Sequence, residues 1–287
     1  MGMIGPGRGT RGTGTDRVAL RVAQLAGRLT DRDRQLCRLL LEHRVLTSHQ
    51  LTHLAFGHLD TAEDRLRTLT CLGVLDRFRP RRDTGSAPYH YVLGPLGAAT
   101  LAAEQHVTVA DLGYRRATTL AVAHSRRLSE LVAVNGFFTA LTAHARHHPG
   151  TELARWLSQR RCHDLWGRLV RPHGFGRWRD HDSVLEFFLH YSDQEPMSQL
   201  IAALAGYDAL AQATPQLATN VLVWLTSTRR ETELHRTVPP RHYLLATATP
   251  QPDSNPADAI WLPLGSTGPR RHLADLPHLH RRAPDRP

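Results

Sequence analysis

Between Thr30 and Leu93 the chain carries three short helical patterns and then two alternating segments joined by an arginine-rich turn. Few folds accept that order of signals. Thr30-Asp31-Arg32-Asp33 places a capping hydroxyl ahead of first-turn acids, and Leu36, Leu39 and Leu40 recur at helical spacing through His43. Leu46-Thr47-Ser48 restarts a short helix with Gln50, Leu51, Leu54 and Phe56 facing inward, and Gly57 ends it. Thr61-Ala62-Glu63-Asp64 opens a third helix with Leu66, Leu69 and Leu72 apolar, stopped by Gly73. Val74–Arg79 and Tyr89–Leu93 then alternate on either side of a turn holding Arg81 and Arg82, which predicts a β-hairpin. Three short helices and a hairpin predict a winged helix-turn-helix over residues 29–105, including a helix over Gly94–Gln105. In such a unit the third helix enters the major groove of duplex DNA and the hairpin follows the backbone. The expected contacts are Thr61, Arg65 and Thr68 on the third helix and Arg77, Arg79, Arg81 and Arg82 on the wing.

The charge balance fits an acidic partner. All 36 basic residues are arginine, against 26 Asp and Glu, for a formal charge of +10. The complete lack of lysine also reads as GC-rich codon usage, so part of the excess is genomic. No apolar run approaches the ~18–20 residues that cross a bilayer, and the Gly-rich Met1–Thr15 has no apolar centre like that of a signal peptide. A cytoplasmic protein with no membrane partner is expected, residues 1–28 forming a flexible basic leader or arm in which Asp16–Arg28, with Val18, Leu20, Val22 and Leu25, reads as a short helix or an extended arm. Cys37, Cys71 and Cys162 are far apart and without C-x-x-C spacing, which predicts reduced core thiols.

A linker is expected over residues 106–116 and a second domain over 117–264. A long helix runs from about Thr119 to His147 until His148-Pro149-Gly150 breaks it. Strands follow around Glu152–Arg161, Val170–Trp178 and Val184–Tyr191, then a helix Met197–Ala213, a strand Asn220–Thr226 and a short helix Arg229–Thr237. Tyr243–Thr247 and Ile260–Leu264 add edge strands. This is an α/β layout with a covered sheet, giving an α+β and α/β fold class overall. Residues 265–287, rich in Pro and Arg, predict a disordered basic tail. There is no Gly-rich phosphate loop, Walker pattern or Ser-His-Asp order, which argues against an ATPase.

Several short motifs carry a resemblance to a known family. They are Leu29-Thr30-Asp31-Arg32-Asp33, His43-Arg44-Val45-Leu46-Thr47 and Leu72-Gly73-Val74-Leu75-Asp76-Arg77-Phe78. The second domain adds Val134-Asn135-Gly136-Phe137-Phe138, Arg171-Pro172, Phe187-Phe188-Leu189, Glu195-Pro196, Leu204-Ala205-Gly206-Tyr207 and Thr228-Arg229-Arg230-Glu231. From Leu29 to Leu234 the chain resembles the replication-relaxation family of actinobacterial plasmids and mobile elements. The resemblance implies a part in plasmid replication, supercoil relaxation or transfer, and a second domain like the restriction endonucleases. There an Asp and a Glu hold Mg²⁺ while a Lys offsets phosphate charge. The matching positions in this chain are His173, His190 and Ala203, with Gln159 where a first-strand acid would stand. The resemblance therefore implies a nuclease-like platform with catalysis lost, no catalytic residues, no metal and no cofactor.

Three readings of function follow. The first is a replication or transfer accessory on double-stranded DNA, with replication or transfer proteins as partners. The second is a winged-helix transcriptional regulator, acting as a homodimer on a two-fold site. The third is a metal-dependent nickase that uses Glu186, Asp193 or Glu195 in another register. A softer alternative gathers His173 and His190 with His163 or His181 around zinc. Trp156, Trp166, Trp178 and Phe175 offer base stacking, or simply core packing.

Overall fold

In the computed structural model, which describes residues 14–81, 85–249, 251 and 254–280, Thr30 caps its helix as expected, and does so through a reciprocal box. The Asp33 N–H donates to Thr30 Oγ1 (3.3 Å), and the Thr30 N–H donates to Asp33 Oδ2 (2.7 Å). The chain divides into two units, the first drawing on residues up to Ser48 and on His58–Ala123, the second on His49–Gly57 and on His124 onward.

The elements begin with α1 (Gly14–Ala26), α2 (Asp31–His43), β1 (Leu46–Thr47), α3 (Ser48–Ala55) and α4 (Leu59–Cys71). They continue through β2 (Leu75–Phe78), β3 (His90–Leu93), α5 (Pro95–Glu104) and α6 (Arg116–Leu120). The three strands form one antiparallel sheet in the order β1-β3-β2, with Leu75 opposite Leu93 and Phe78 opposite His90. Gly73 turns the chain from α4 into β2 at φ 73°, where a Cβ would be strained. Leu36, Leu40, Leu46, Leu66, Leu69 and Val74 are fully buried and form the apolar interior of this unit.

Of the two alternatives for Asp16–Arg28 the structure has the helix: α1 lies against α5, and Leu25 is buried. Residues 1–13 lie outside the described residues. The expected linker is folded too. Thr108 and Asp111 cap one another (2.9 and 3.2 Å), and Arg116 donates to both oxygens of Asp76 (3.1 and 3.2 Å).

The second unit continues with α7 (Leu128–His147), β4 (Thr151–Ser158), α8 (Gln159–Trp166), β5 (Gly174–Asp180) and β6 (Ser183–Ser192). It is completed by α9 (Met197–Ala213), β7 (Val221–Leu225), α10 (Thr228–Thr237), β8 (Leu245–Ala248), β9 (Leu262–Pro263) and α11 (Leu276–His280). One mixed sheet runs β4-β5-β6-β7-β8-β9. The antiparallel meander β4-β5-β6 continues into the parallel neighbours β7 and β8, with α9 and α10 as their connections. Because side chains alternate along a strand, Phe187 and Phe188 face opposite sides. Phe187 joins Phe137, Phe138, Trp178 and Trp261, whereas Phe188 joins Leu200, Leu204 and Tyr207 of α9. Both faces are thus covered, and the architecture is mixed α+β.

The structure also departs from the expected elements here. The long helix from Thr119 is split, with α7 starting only at Leu128, and β8 is paired on both sides instead of forming an edge. Gln159 opens α8 and is not on a strand; Ser158 caps that helix by accepting the Arg161 N–H (3.2 Å). Of the expected disordered tail, the described residues 265–280 are folded. Arg271 pairs with Trp261, and Leu273 and Leu276 are fully buried in the core beside Phe187. The two leucines, three positions apart, supply the apolar face that the Pro and Arg content masks. Nor are all three cysteines in the core: Cys37 and Cys162 are buried, but Cys71 is exposed at the end of α4.

Candidate functional site

On α4, Thr61 and Thr68 are exposed, Thr68 turning its hydroxyl back to the Asp64 carbonyl (3.0 Å). Arg65 is differently placed. Its Nε donates to Asp33 Oδ1 (3.0 Å), its Nη2 to Asp33 Oδ2, and Nη2 also to the Arg28 carbonyl (3.1 Å). The fork that would read a guanine edge is already closed on a buried carboxylate. The rest of the exposed face carries Asp60, Asp64 and Arg67, the last paired with Asp64 at 3.2 Å, so it presents little free positive charge.

The hairpin holds its charge in another way. The guanidiniums of Arg77 and Arg79 lie 4.2 and 4.0 Å from the centre of the Tyr89 ring. Cation–π attraction of this kind fixes a guanidinium while leaving most of its N–H donors open. Arg81 is exposed, and Arg82 lies outside the described residues.

In the second unit, the positions singled out by resemblance do converge. His173, just before β5, and His190 on β6 have ring centres 5.0 Å apart. The Tyr191 N–H donates to His173 Nδ1 (3.1 Å), which leaves the proton on Nε2, facing Glu130 Oε1 at 3.3 Å. Arg127 holds both oxygens of Glu130, its Nη2 donating to the same Oε1 (2.5 Å) and its Nε to Oε2 (3.3 Å), and it donates to Gln159 Oε1 (3.0 Å). His190 Nε2 meets Glu195 Oε1 at 2.9 Å. Burial pushes the Glu130 carboxyl up, but the bonds from His173 and Arg127 outweigh it and hold it at about 2. Burial pushes the His173 imidazole down. At neutral pH the chain Gln159–Arg127–Glu130–His173 therefore holds one cation, one anion and a neutral ring. Glu130 and Arg127 escape a reading of the sequence; their spacing, three apart at the start of a helix, is the available signal.

This donor set does not fit the Mg²⁺ that the resemblance brings with it. The matching positions offer an amide, two imidazoles and a methyl, whereas that cation takes oxygen ligands. The carboxylates considered for another register have separate partners: Glu186 faces Arg177 (3.7 Å), Asp193 accepts from Thr226 (2.9 Å), and Glu195 serves His190. Among the described residues no three His, Cys, Asp or Glu side chains gather as a metal site, and His181 is bonded to Asp180 (2.9 Å) away from His173. The aromatic side chains are packing. Trp178 and Phe175 are buried, Trp156 stacks on Phe138, and Trp166 lies against Phe175 and Phe188. The Arg230-Glu231 motif is structural as well. Arg230 donates to Ser192 (2.7 Å), and buried Glu231 accepts from Thr247 (2.6 Å) and Arg270 (2.5 Å).

Fold and site together define a two-unit, mixed α+β protein that brings an arginine-bearing hairpin and a partly buried histidine–carboxylate network into one chain. The replication-relaxation family model matches residues 37–223, most of the length, and the chain belongs to that family. No curated protein and no solved structure matches it. No helix among the described residues is long and apolar enough to cross a membrane.

Proposed function

We propose that this chain is a DNA-binding protein of plasmid or mobile-element replication or transfer. In this reading α2, β1, α4, β2 and β3 of the first unit, with α3 between them in the chain, serve as a winged helix on duplex DNA, and the second unit is a restriction-endonuclease-like platform that has lost cleavage. The protein works in the cytoplasm, as a homodimer or with replication or transfer proteins. The observation that carries the reading is the pair of guanidiniums seated on Tyr89, with Arg81 exposed beyond them. A hairpin so charged suits phosphate neutralisation. Binding then rests on the wing, Thr61 and Thr68, while Arg65 acts as a brace between helices.

The test is a titration of duplex DNA over a range of salt concentrations. Replacing Arg79, Arg81 and Arg82 by Gln should weaken binding to every sequence and lower the salt slope by about 0.9 for each phosphate no longer neutralised. Unchanged affinity would sink the wing assignment. The same preparation on supercoiled plasmid with Mg²⁺ or Mn²⁺ should yield intact supercoils after deproteinisation. Metal-dependent open circles would overturn the loss of cleavage.

A further inference from the structure

Beside the histidine pair lies a cavity of about 290 Å³ between the 167–171 loop, α9 and β6. Its lining includes Arg168, Arg171, His190, Ala203 and Tyr207, and no carboxylate. Two of these side chains bring buried polar atoms with no partner: His190 Nδ1, on a ring whose other nitrogen is bound to Glu195, and the Tyr207 hydroxyl. An unpaired buried polar atom is destabilising, and two on one cavity mark a place built to be filled by a polar ligand. Neither Arg168 nor Arg171 has an ionic or hydrogen-bonded partner among the described residues, and both are exposed. The wall is also close-fitted. A Cβ on Gly206 would stand 2.6 Å from the Leu169 carbonyl, so only glycine lets α9 approach the loop this closely. Ala203 contributes only a methyl, which leaves room where a longer side chain would project.

We propose that this cavity binds a phosphate monoester. Arg168 and Arg171 take the charge at the mouth, the Tyr207 hydroxyl donates to one phosphate oxygen, and a protonated phosphate oxygen donates to His190 Nδ1. The volume lies just under the ~300–1,000 Å³ of drug-sized pockets, enough for the phosphate and part of a nucleoside. The inference stands whether or not the first unit binds DNA.

The experiment is calorimetric titration of the full chain with inorganic phosphate, dAMP, and one short oligonucleotide prepared with a 5′-phosphate or a 5′-hydroxyl. Phosphate and dAMP should bind, and Arg168→Gln/Arg171→Gln and Ala203→Trp should each weaken dAMP by roughly tenfold or more. If the 5′-phosphate oligonucleotide outcompetes dAMP while its 5′-hydroxyl form does not, the natural source is a DNA end; the reverse order points to a free nucleotide. Should Ala203→Trp fail to fold, the arginine pair, being on the surface, decides alone. No binding of phosphate or dAMP, or equal binding by wild type and the arginine variant, overturns the proposal.

Discussion

Arg65 on α4 closes a two-pronged bond on Asp33 in the first turn of α2, with Nε to Oδ1 at 3.0 Å and Nη2 to Oδ2. The carboxylate side chain is fully buried and also caps its own helix. Removing the guanidinium strands a buried charge, so Arg65→Leu should lower the unfolding free energy by about 3 kcal/mol in urea titrations. Arg65→Lys should recover little, since an ammonium cannot fork. A loss below about 1 kcal/mol would release Arg65 for a role on DNA.

Two buried groups of α2 contribute to the acid limit of stability. Burial drives the His43 imidazole from 6.5 down to about 3, so between those values the unfolded chain binds a proton that the folded one refuses. Stability therefore falls as pH drops through that window, by on the order of 5 kcal/mol in full. Burial pushes the Asp33 carboxyl up, but bonds from Arg65 and Thr30 prevail and hold it below its ordinary value. Its contribution is complete above the unfolded value of about 3.9 and is lost only below it. Urea midpoints from pH 7 to 4 should decline in wild type and decline less steeply in His43→Leu, the remaining slope coming from His173, His53, His144 and His235, whose imidazoles burial also lowers.

Thiol accessibility separates the cysteines. Burial pushes Cys37 up to about 12, and Cys162 is fully buried, whereas Cys71 is exposed. A thiol-reactive chromophore should report one fast equivalent per native chain and none in Cys71→Ser, the other two appearing only on denaturation.

The C-terminal segment should behave as core. Leu273→Ala removes a fully buried side chain and should cost about 2–5 kcal/mol. Arg270→Leu leaves Glu231, itself 4% exposed, without its ionic partner and should also lower the melting midpoint. A chain ended after Gly265 should show both losses and be cleaved faster by protease. An unchanged midpoint in all three would return this segment to the solvent.

What is legible in the sequence is what local chemistry decides. Thr30 with Asp33, Gly73 after its helix, and the alternation on both sides of residues 80–88 are short-range signals, and α2, β2 and β3 follow them. The helix over Met197–Ala213 is readable because Leu200, Leu204 and Tyr207 line one face. Helix α8 is not, since Cys162 is its only buried residue and the rest is mostly charged or polar. Leu273 and Leu276 are decided by distant partners, as is Arg65, whose acceptor belongs to another helix. At the candidate site, His173 and His190 stand out through the resemblance, but nothing local foretells that Glu130 would meet one of them.

Residues 49–57 belong with the second unit although the chain on both sides of them belongs with the first. No single break in the polypeptide therefore yields both units whole. A chain cut at any one peptide bond leaves at least one unit without a segment of its own, so neither half of the sequence, taken by itself, is a stand-in for a unit of the fold.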